Sequence, residues 1–159
     1  MIQLTVITTG TLKEAYWRDA AAEYEKRLSS FCKPQIIQLK ETKLSEDPSE
    51  SEISQALAEE GKKILAAIPP RAYKIALCVE GVQYSSEELA KKLDTVLATN
   101  ASVCLIIGSS YGLSPEVKSA CDMRLSVSKL TFPHQMMRVL LLEVLYRAFG
   151  ILRGTKYHK

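Results

Sequence analysis

The chain has 159 residues, 47% of them hydrophobic and 25% charged, with a formal net charge of +3. That length suits a single domain over residues 1–159, able to bury roughly 70% of its unfolded surface without staples. The composition excludes a disordered or collagen-like chain. No apolar run is long enough to span a bilayer, the start carries no basic and apolar export signal, and the four cysteines are too widely spaced for a metal or redox motif. The expected compartment is the cytosol.

Ile2, Leu4 and Val6 alternate as a first strand that Gly10 ends. Thr11-x-x-Glu14 reads as a capping box, opening a helix with Tyr16, Ala20, Tyr24 and Leu28 on one stripe. Pro34 breaks the pattern, and residues 35–39 read as a second strand. Residues 41–50 are polar, acidic and contain Pro48, the composition of a loop. Ser49-x-x-Glu52 starts a second helix to about Ile68, where Pro69-Pro70 stops it.

Residues 74–79 form an apolar run of buried-strand length. Ser85-x-x-Glu88 caps the next helix, to about Ala98, and residues 102–107 are another buried strand. Ser114-Pro115 places a good N-cap before a proline at the first helical position. Residues 124–128 make a short fifth strand, and the last helix covers about 135–149. Strand and helix alternate throughout, which predicts an α/β fold with a mostly parallel sheet and helices on both faces.

In such a sheet ligands bind beyond the carboxyl ends of the strands. Three loops lie there, at 77–81, 108–112 and 127–132. Gly108-Ser-Ser-Tyr-Gly112 matches neither the dinucleotide nor the P-loop pattern, so those functions are excluded. Charge is polarised: residues 118–159 balance at +6 and residues 41–60 at −6. A basic C-terminal face favours an anionic partner such as nucleic acid. The last helix carries only Arg138, Glu143 and Arg147 as charges between Met136 and Phe149. A helix so widely apolar needs cover on more than one side, which predicts a homodimer packed through it. His134, beside Pro133, reads as a helix-end histidine bonded to backbone, whereas His158 lies in a basic tail next to Tyr157. Two histidines without neighbouring carboxylates make no metal site, and no membrane partner is indicated. The residues alone leave open a non-catalytic RNA-binding factor or a nucleotide-binding enzyme of other chemistry.

The string SxSKxTFPHQMMRVxLxExxYRA, beginning at Ser126, together with the terminal Tyr157-His158-Lys159, resembles a family of bacterial enzymes. These are the large-subunit rRNA pseudouridine N3-methyltransferases of the SPOUT superfamily. The similarity runs over the whole chain and includes Leu12–Trp17 and Ala22–Leu28. The resemblance implies a C-terminal trefoil knot and S-adenosylmethionine as cofactor. It assigns cofactor contacts to Leu77, Gly108, Val127, Ser128, Lys129, Leu130, Thr131 and Phe132. The chain departs from the family pattern at Ser109 and Tyr111, where Gly and Asn are common. The implied substrate is 23S rRNA in the assembled ribosome. Glu143, Arg147, Tyr157 and His158 are then the expected target-base site, with His158 the foremost proton acceptor and Glu143 its rival. Lys129, Arg153, Lys156 and Lys159 are expected on rRNA phosphates.

Overall fold

The computed structural model describes all of residues 1–159. In chain order the elements are β1 (Gln3–Thr9), α1 (Ala15–Leu28), β2 (Lys33–Leu39), α2 (Glu50–Ala67), β3 (Tyr73–Val82), α3 (Ser86–Thr99), β4 (Ser102–Ile107), α4 (Pro115–Ala120), β5 (Met123–Leu125) and α5 (His134–Leu152). The strands form one five-stranded sheet, every pair parallel, in the order β2-β1-β4-β3-β5. The expected architecture is therefore present.

Both faces of the sheet are covered. Leu4, Val6, Ile75, Val103 and Leu105 point to one side, where α1, α3 and α5 pack. Ile7, Ala76, Cys104 and Ile106 point to the other, against Ile64 of α2 and Val117 of α4. The alternation in β1 thus separates two cores rather than core from solvent, and even Thr5, Thr8 and Thr9 are buried. Pro34 lies inside β2, not before it. β2 is an edge strand, where a missing backbone donor is tolerated.

The two downstream capping boxes are present as expected. Ser49 and Ser85 each accept from the backbone amide three residues on, and Glu52 and Glu88 reach back. At Ser85 the two bonds measure 3.1 and 2.7 Å. Replacing Ser85 by Ala should cost about 1 kcal/mol and lower the melting temperature by about 2–4 °C. A calorimetric scan showing no change would contradict the role of that cap.

The Thr11 box is absent. Glu14 occupies the N-cap of α1 and its side chain makes no cap bond. The turn is held instead by the Arg18 guanidinium, which donates to the carbonyls of Leu12 and Lys13 at 3.1 and 2.5 Å. The buried stripe keeps Tyr24 and Leu28 but differs from the predicted one in the first turns. Tyr16 is 64% exposed, and Trp17, Ala21, Tyr24 and Leu28 face the core.

α5 lies between α1 and α3, so its own chain covers more of it than the sequence suggested. Leu141, Leu142, Leu145 and Ala148 are fully buried. Arg138 is buried with them and donates to Gln38 Oε1 and the Gly10 carbonyl, both at 2.9 Å. About 120–160° around the helix from Arg138, Met136, Leu140, Val144 and Ile151 remain only half-buried. Glu143 and Arg147 share that stripe. No helix is long and apolar enough to cross a membrane.

Candidate functional site

A cavity of about 400 Å³ opens at the carboxyl ends of β3, β4 and β5. Three segments wall it: residues 77–80, residues 107–113 and residues 125–128 with 130–132, while His134 and Met137 of α5 close one side. Glycines let these backbones come together. A Cβ on Gly108 would fall on the Gly112 carbonyl, and one on Gly81 would lie 2.6–2.8 Å from backbone atoms of Arg124, Leu125 and Ser126. Gly112 has φ of +86°, which closes the turn back onto Ser109 through a 2.9 Å backbone bond.

β3 and β5 are interlocked at the same place. Leu125 pairs with Leu77 and again with Val82, so residues 78–81 bow out around it, and the Ser126 amide donates to the Val82 carbonyl. β5 therefore ends at Leu125 rather than running to Ser128. The following loop is held by its own hydroxyls: Ser126 donates to the Ser128 carbonyl and the Leu130 amide donates to Ser128 Oγ, both at 3.0 Å.

Of the eight expected cofactor residues, Leu77, Gly108, Val127, Ser128, Leu130, Thr131 and Phe132 line the cavity. Lys129 does not; it is exposed beside it. Val79, Tyr111 and Leu130 form an apolar rim, 57%, 47% and 71% exposed. Glu80 and Lys118, also in the wall, neutralise each other as an ion pair.

The sequence missed His134. A helix-end histidine is expected to bond backbone, but its Nδ1 sits 3.3 Å from Ser110 Oγ and the residue lines the cavity. The only signal for this was its place directly after the 127–132 loop. Ser110 lies 24 positions away, and only the fold brings the two together.

The four residues expected at the target-base site form one network. Arg147 donates to Glu143 Oε1 from Nε at 2.8 Å and from Nη2 at 2.5 Å, and the Tyr157 hydroxyl donates to Glu143 Oε2 at 2.8 Å. The Arg147 guanidinium stacks 4.7 Å over the Tyr157 ring, and Tyr146 meets that ring edge-on at 4.8 Å. The bond to Glu143 pushes the Tyr157 hydroxyl up to about 12, so the phenol keeps its proton at neutral pH. His158 bridges Arg147, 3.4 Å from Nδ1, and Glu87, 2.8 Å from Nε2. Those partners define the tautomer: Nε2–H donates to the carboxylate and Nδ1 accepts from the guanidinium.

This network and the cavity share no residue. Glu143 lies nine residues past His134 on α5, about 14 Å along the axis at 1.5 Å per residue. The four expected phosphate ligands are all exposed and outside any ion pair. They do not form one patch, since Lys129 precedes α5 whereas Arg153, Lys156 and Lys159 follow it.

An all-parallel sheet with a glycine-closed cavity at its carboxyl edge defines a small-molecule-binding α/β protein whose site is assembled from late loops. The chain belongs to the SPOUT methyltransferases: the family model described as "Predicted SPOUT methyltransferase" matches residues 2–158. Within that family its relatives are proteins named ribosomal RNA large subunit methyltransferase H. The one from Clostridioides difficile (strain 630) is 46% identical and the one from Leuconostoc mesenteroides subsp. mesenteroides 44%, each over 99% of this chain and 100% of the relative. Among solved structures, a "probable methylase family protein" from Haemophilus influenzae Rd KW20 shares the fold. Its TM-score is 0.56 at 18% identity, covering 99% of this chain and 70% of that one.

Proposed function

We propose that the protein is a cytoplasmic S-adenosylmethionine-dependent methyltransferase of one domain that acts on N3 of a pseudouridine in 23S rRNA of the assembled ribosome, as a homodimer. The observation that carries this reading is that most of Ser126–His134, the start of the string on which the resemblance rests, lines the cavity. The cavity suits the cofactor: apolar side chains flank it, its one charged pair is neutralised, and backbone from three loops is offered where Gly81 and Gly108 allow close approach. Leu77, Gly108 and Val127–Phe132 would hold it, with Lys129 turned outward to rRNA phosphate. When bound, S-adenosylmethionine supplies an activated methyl group on a sulfonium. A threaded, knotted C-terminal segment, as the resemblance implies, belongs to this reading.

The chain's own task is to place the target base and remove its proton. N3 of the base is a weakly acidic imide. Alignment contributes about 7–11 kcal/mol, and a positioned base adds about 10²–10⁴-fold. Glu143 is a poor acceptor, because both its oxygens already receive charged or phenolic donors. His158 is the better one. Its Nδ1 contact to Arg147, at 3.4 Å, is the longest in the network and the easiest to exchange for a substrate proton. Glu87 then steadies the imidazolium through Nε2. Tyr157 offers a ring for stacking, and Arg147 holds Glu143 or a phosphate. Arg153, Lys156 and Lys159 extend the contact to rRNA.

The homodimer reading is supported by the half-buried stripe of Met136, Leu140, Val144 and Ile151, which carries Glu143 and Arg147 in its midst. A second copy seated there brings its own cavity to this chain's tail and completes a site that one chain leaves in two parts. The test is transfer of labelled methyl from S-adenosylmethionine to ribosomes lacking the modification, set beside free rRNA. Label should enter the ribosome and not the free rRNA. Separately, cofactor at a hundred times its Kd should stabilise the fold by about 2.7 kcal/mol, or about 5–10 °C. ATP and NAD should give no shift. A binding factor without catalysis would show neither the shift nor the label.

A further inference from the structure

We propose that Glu80 and Lys118 recognise the amino-acid end of S-adenosylmethionine: their ion pair opens and closes again around the ligand's own ammonium and carboxylate. The inference rests on reading the cavity as the cofactor site. The resemblance assigns a contact to neither residue.

The fold brings the two together across 38 positions. β3 bows out at residues 78–81, because Leu125 pairs with both Leu77 and Val82, and Glu80 rides on that bow. Lys118 lies on α4, next to Val117, which is fully buried in the core on the α2 side of the sheet and anchors the helix there. The Lys118 ammonium donates to Glu80 Oε1, and both residues line the cavity. The cavity wall holds no other carboxylate, and no other basic side chain but His134.

The pair is placed to change partners. The Lys118 side chain is 23% exposed and that of Glu80 51%. An ion pair so open to water is weakly held, because solvent screens it and two long side chains give up rotamer freedom to form it. The hydrogen bond from Lys118 holds the Glu80 carboxyl below the usual carboxylate range, so it is ionised at neutral pH. The amino-acid end of the cofactor carries one ammonium and one carboxylate on a single carbon, the counterpart of the pair in the wall. Glu80 accepts from the ligand's ammonium, and Lys118 donates to its carboxylate. Both contacts are charge-assisted at donor and acceptor, and no charge is left without a partner.

The sulfonium takes no part in this exchange. The grip is therefore the same for the cofactor and its demethylated product, and it supplies binding rather than transition-state stabilisation. Its effect is selective. It favours adenosine ligands with an amino-acid end over those without one, and it sets the Glu80 carboxylate against any polyphosphate end.

The test is calorimetric binding of two ligands to the full chain: S-adenosylhomocysteine, which has the amino-acid end, and methylthioadenosine, which lacks it. Wild type should bind the first about thirtyfold or more tighter, the product of two partly exposed charge-assisted contacts of about five- to tenfold each. The double variant Glu80→Gln, Lys118→Met removes both charges together. It should erase most of that ratio by weakening S-adenosylhomocysteine alone. Lys118→Met by itself should lower the ratio by about five- to tenfold, and it decides the matter if the double variant does not fold. A pair that merely shaped the wall would, when removed, weaken both ligands alike, and that result overturns the proposal. So does a wild-type ratio near one, or a double variant that keeps the full ratio. In each of those cases the cofactor reading stands, because wild type still binds. A wild-type chain that binds neither ligand overturns the cofactor reading and this inference with it.

Discussion

Deletion of Tyr157, His158 and Lys159 should leave S-adenosylmethionine binding nearly unchanged and lower methyl transfer by about 10²–10⁴-fold, the contribution of a positioned proton acceptor. The cavity contains none of these residues, and their contacts run to Glu143, Arg147 and Glu87. Fold stability should fall only modestly, because the tail's contacts, Tyr157 with Tyr146, Glu143 and Arg147 and His158 with Arg147 and Glu87, are half-exposed rather than in the core. Single-turnover rates and calorimetric binding, measured side by side, check the claim. Equal loss of binding and turnover would mean that the tail shapes the cavity, contrary to this reading. His158→Gln alone should reproduce most of the rate loss, since Gln keeps a donor toward Glu87 but offers no basic nitrogen. Retention of the wild-type rate would remove His158 as the base.

Gly108→Ala should do the reverse: cofactor binding is lost while the tail network stays intact. The added methyl would land on the Gly112 carbonyl, a backbone atom that cannot swing away. Overpacking of this kind costs about 1–3 kcal/mol, and here the turn can relieve it only by opening the cavity wall. Affinity for S-adenosylmethionine should drop by about tenfold or more, 1.4 kcal/mol per factor of ten. The two defects also test the composite site. Mixed dimers of a Gly108→Ala chain and a tail-deleted chain place one sound cavity against one sound tail. Activity should return on mixing, although neither parent is active alone. Failure of every mixture to recover would place cavity and tail action within one chain.

Much of the fold was legible because local chemistry and tertiary position agree. Ser49, Ser85 and Ser114 each cap the helix that their sequence context announces. β4 is bounded at Ser102 and Ile107 by composition alone, since a strand buried on both faces must be apolar throughout. Thr11 misled because the helix begins only at Ala15, with Glu14 at its N-cap, and a nearby donor, Arg18, holds the preceding carbonyls of Leu12 and Lys13. The buried stripe runs through Trp17 rather than Tyr16, because packing against the core and not the cap sets the helix's phase. In the site, the loops at 77, 108 and 127–132 were legible as ends of apolar runs. The pairing of Ser110 with His134, and of Thr42 with Glu60, was not. Neither pair lies within one helical turn or across one hairpin, and hydrophobic period carries no information about where a crossover returns. The outward turn of Lys129 is likewise set by hydroxyl bonds within its own loop.

The docking of α5 between α1 and α3 has a further consequence for how the protein is made. The apolar side of α1, with Trp17, Tyr24 and Leu28, is synthesised more than a hundred residues before α5, the helix that covers much of it. At about 5–20 residues per second, the nascent chain carries that uncovered face for several seconds before residues 134–152 emerge. The sheet is wholly parallel, so it has no early hairpin to lean on, and its pairings all close long loops. Folding is therefore committed only once residues 134–152 have emerged, and the helix that closes one side of the binding cavity is also the one that ends this face's exposure to misassociation.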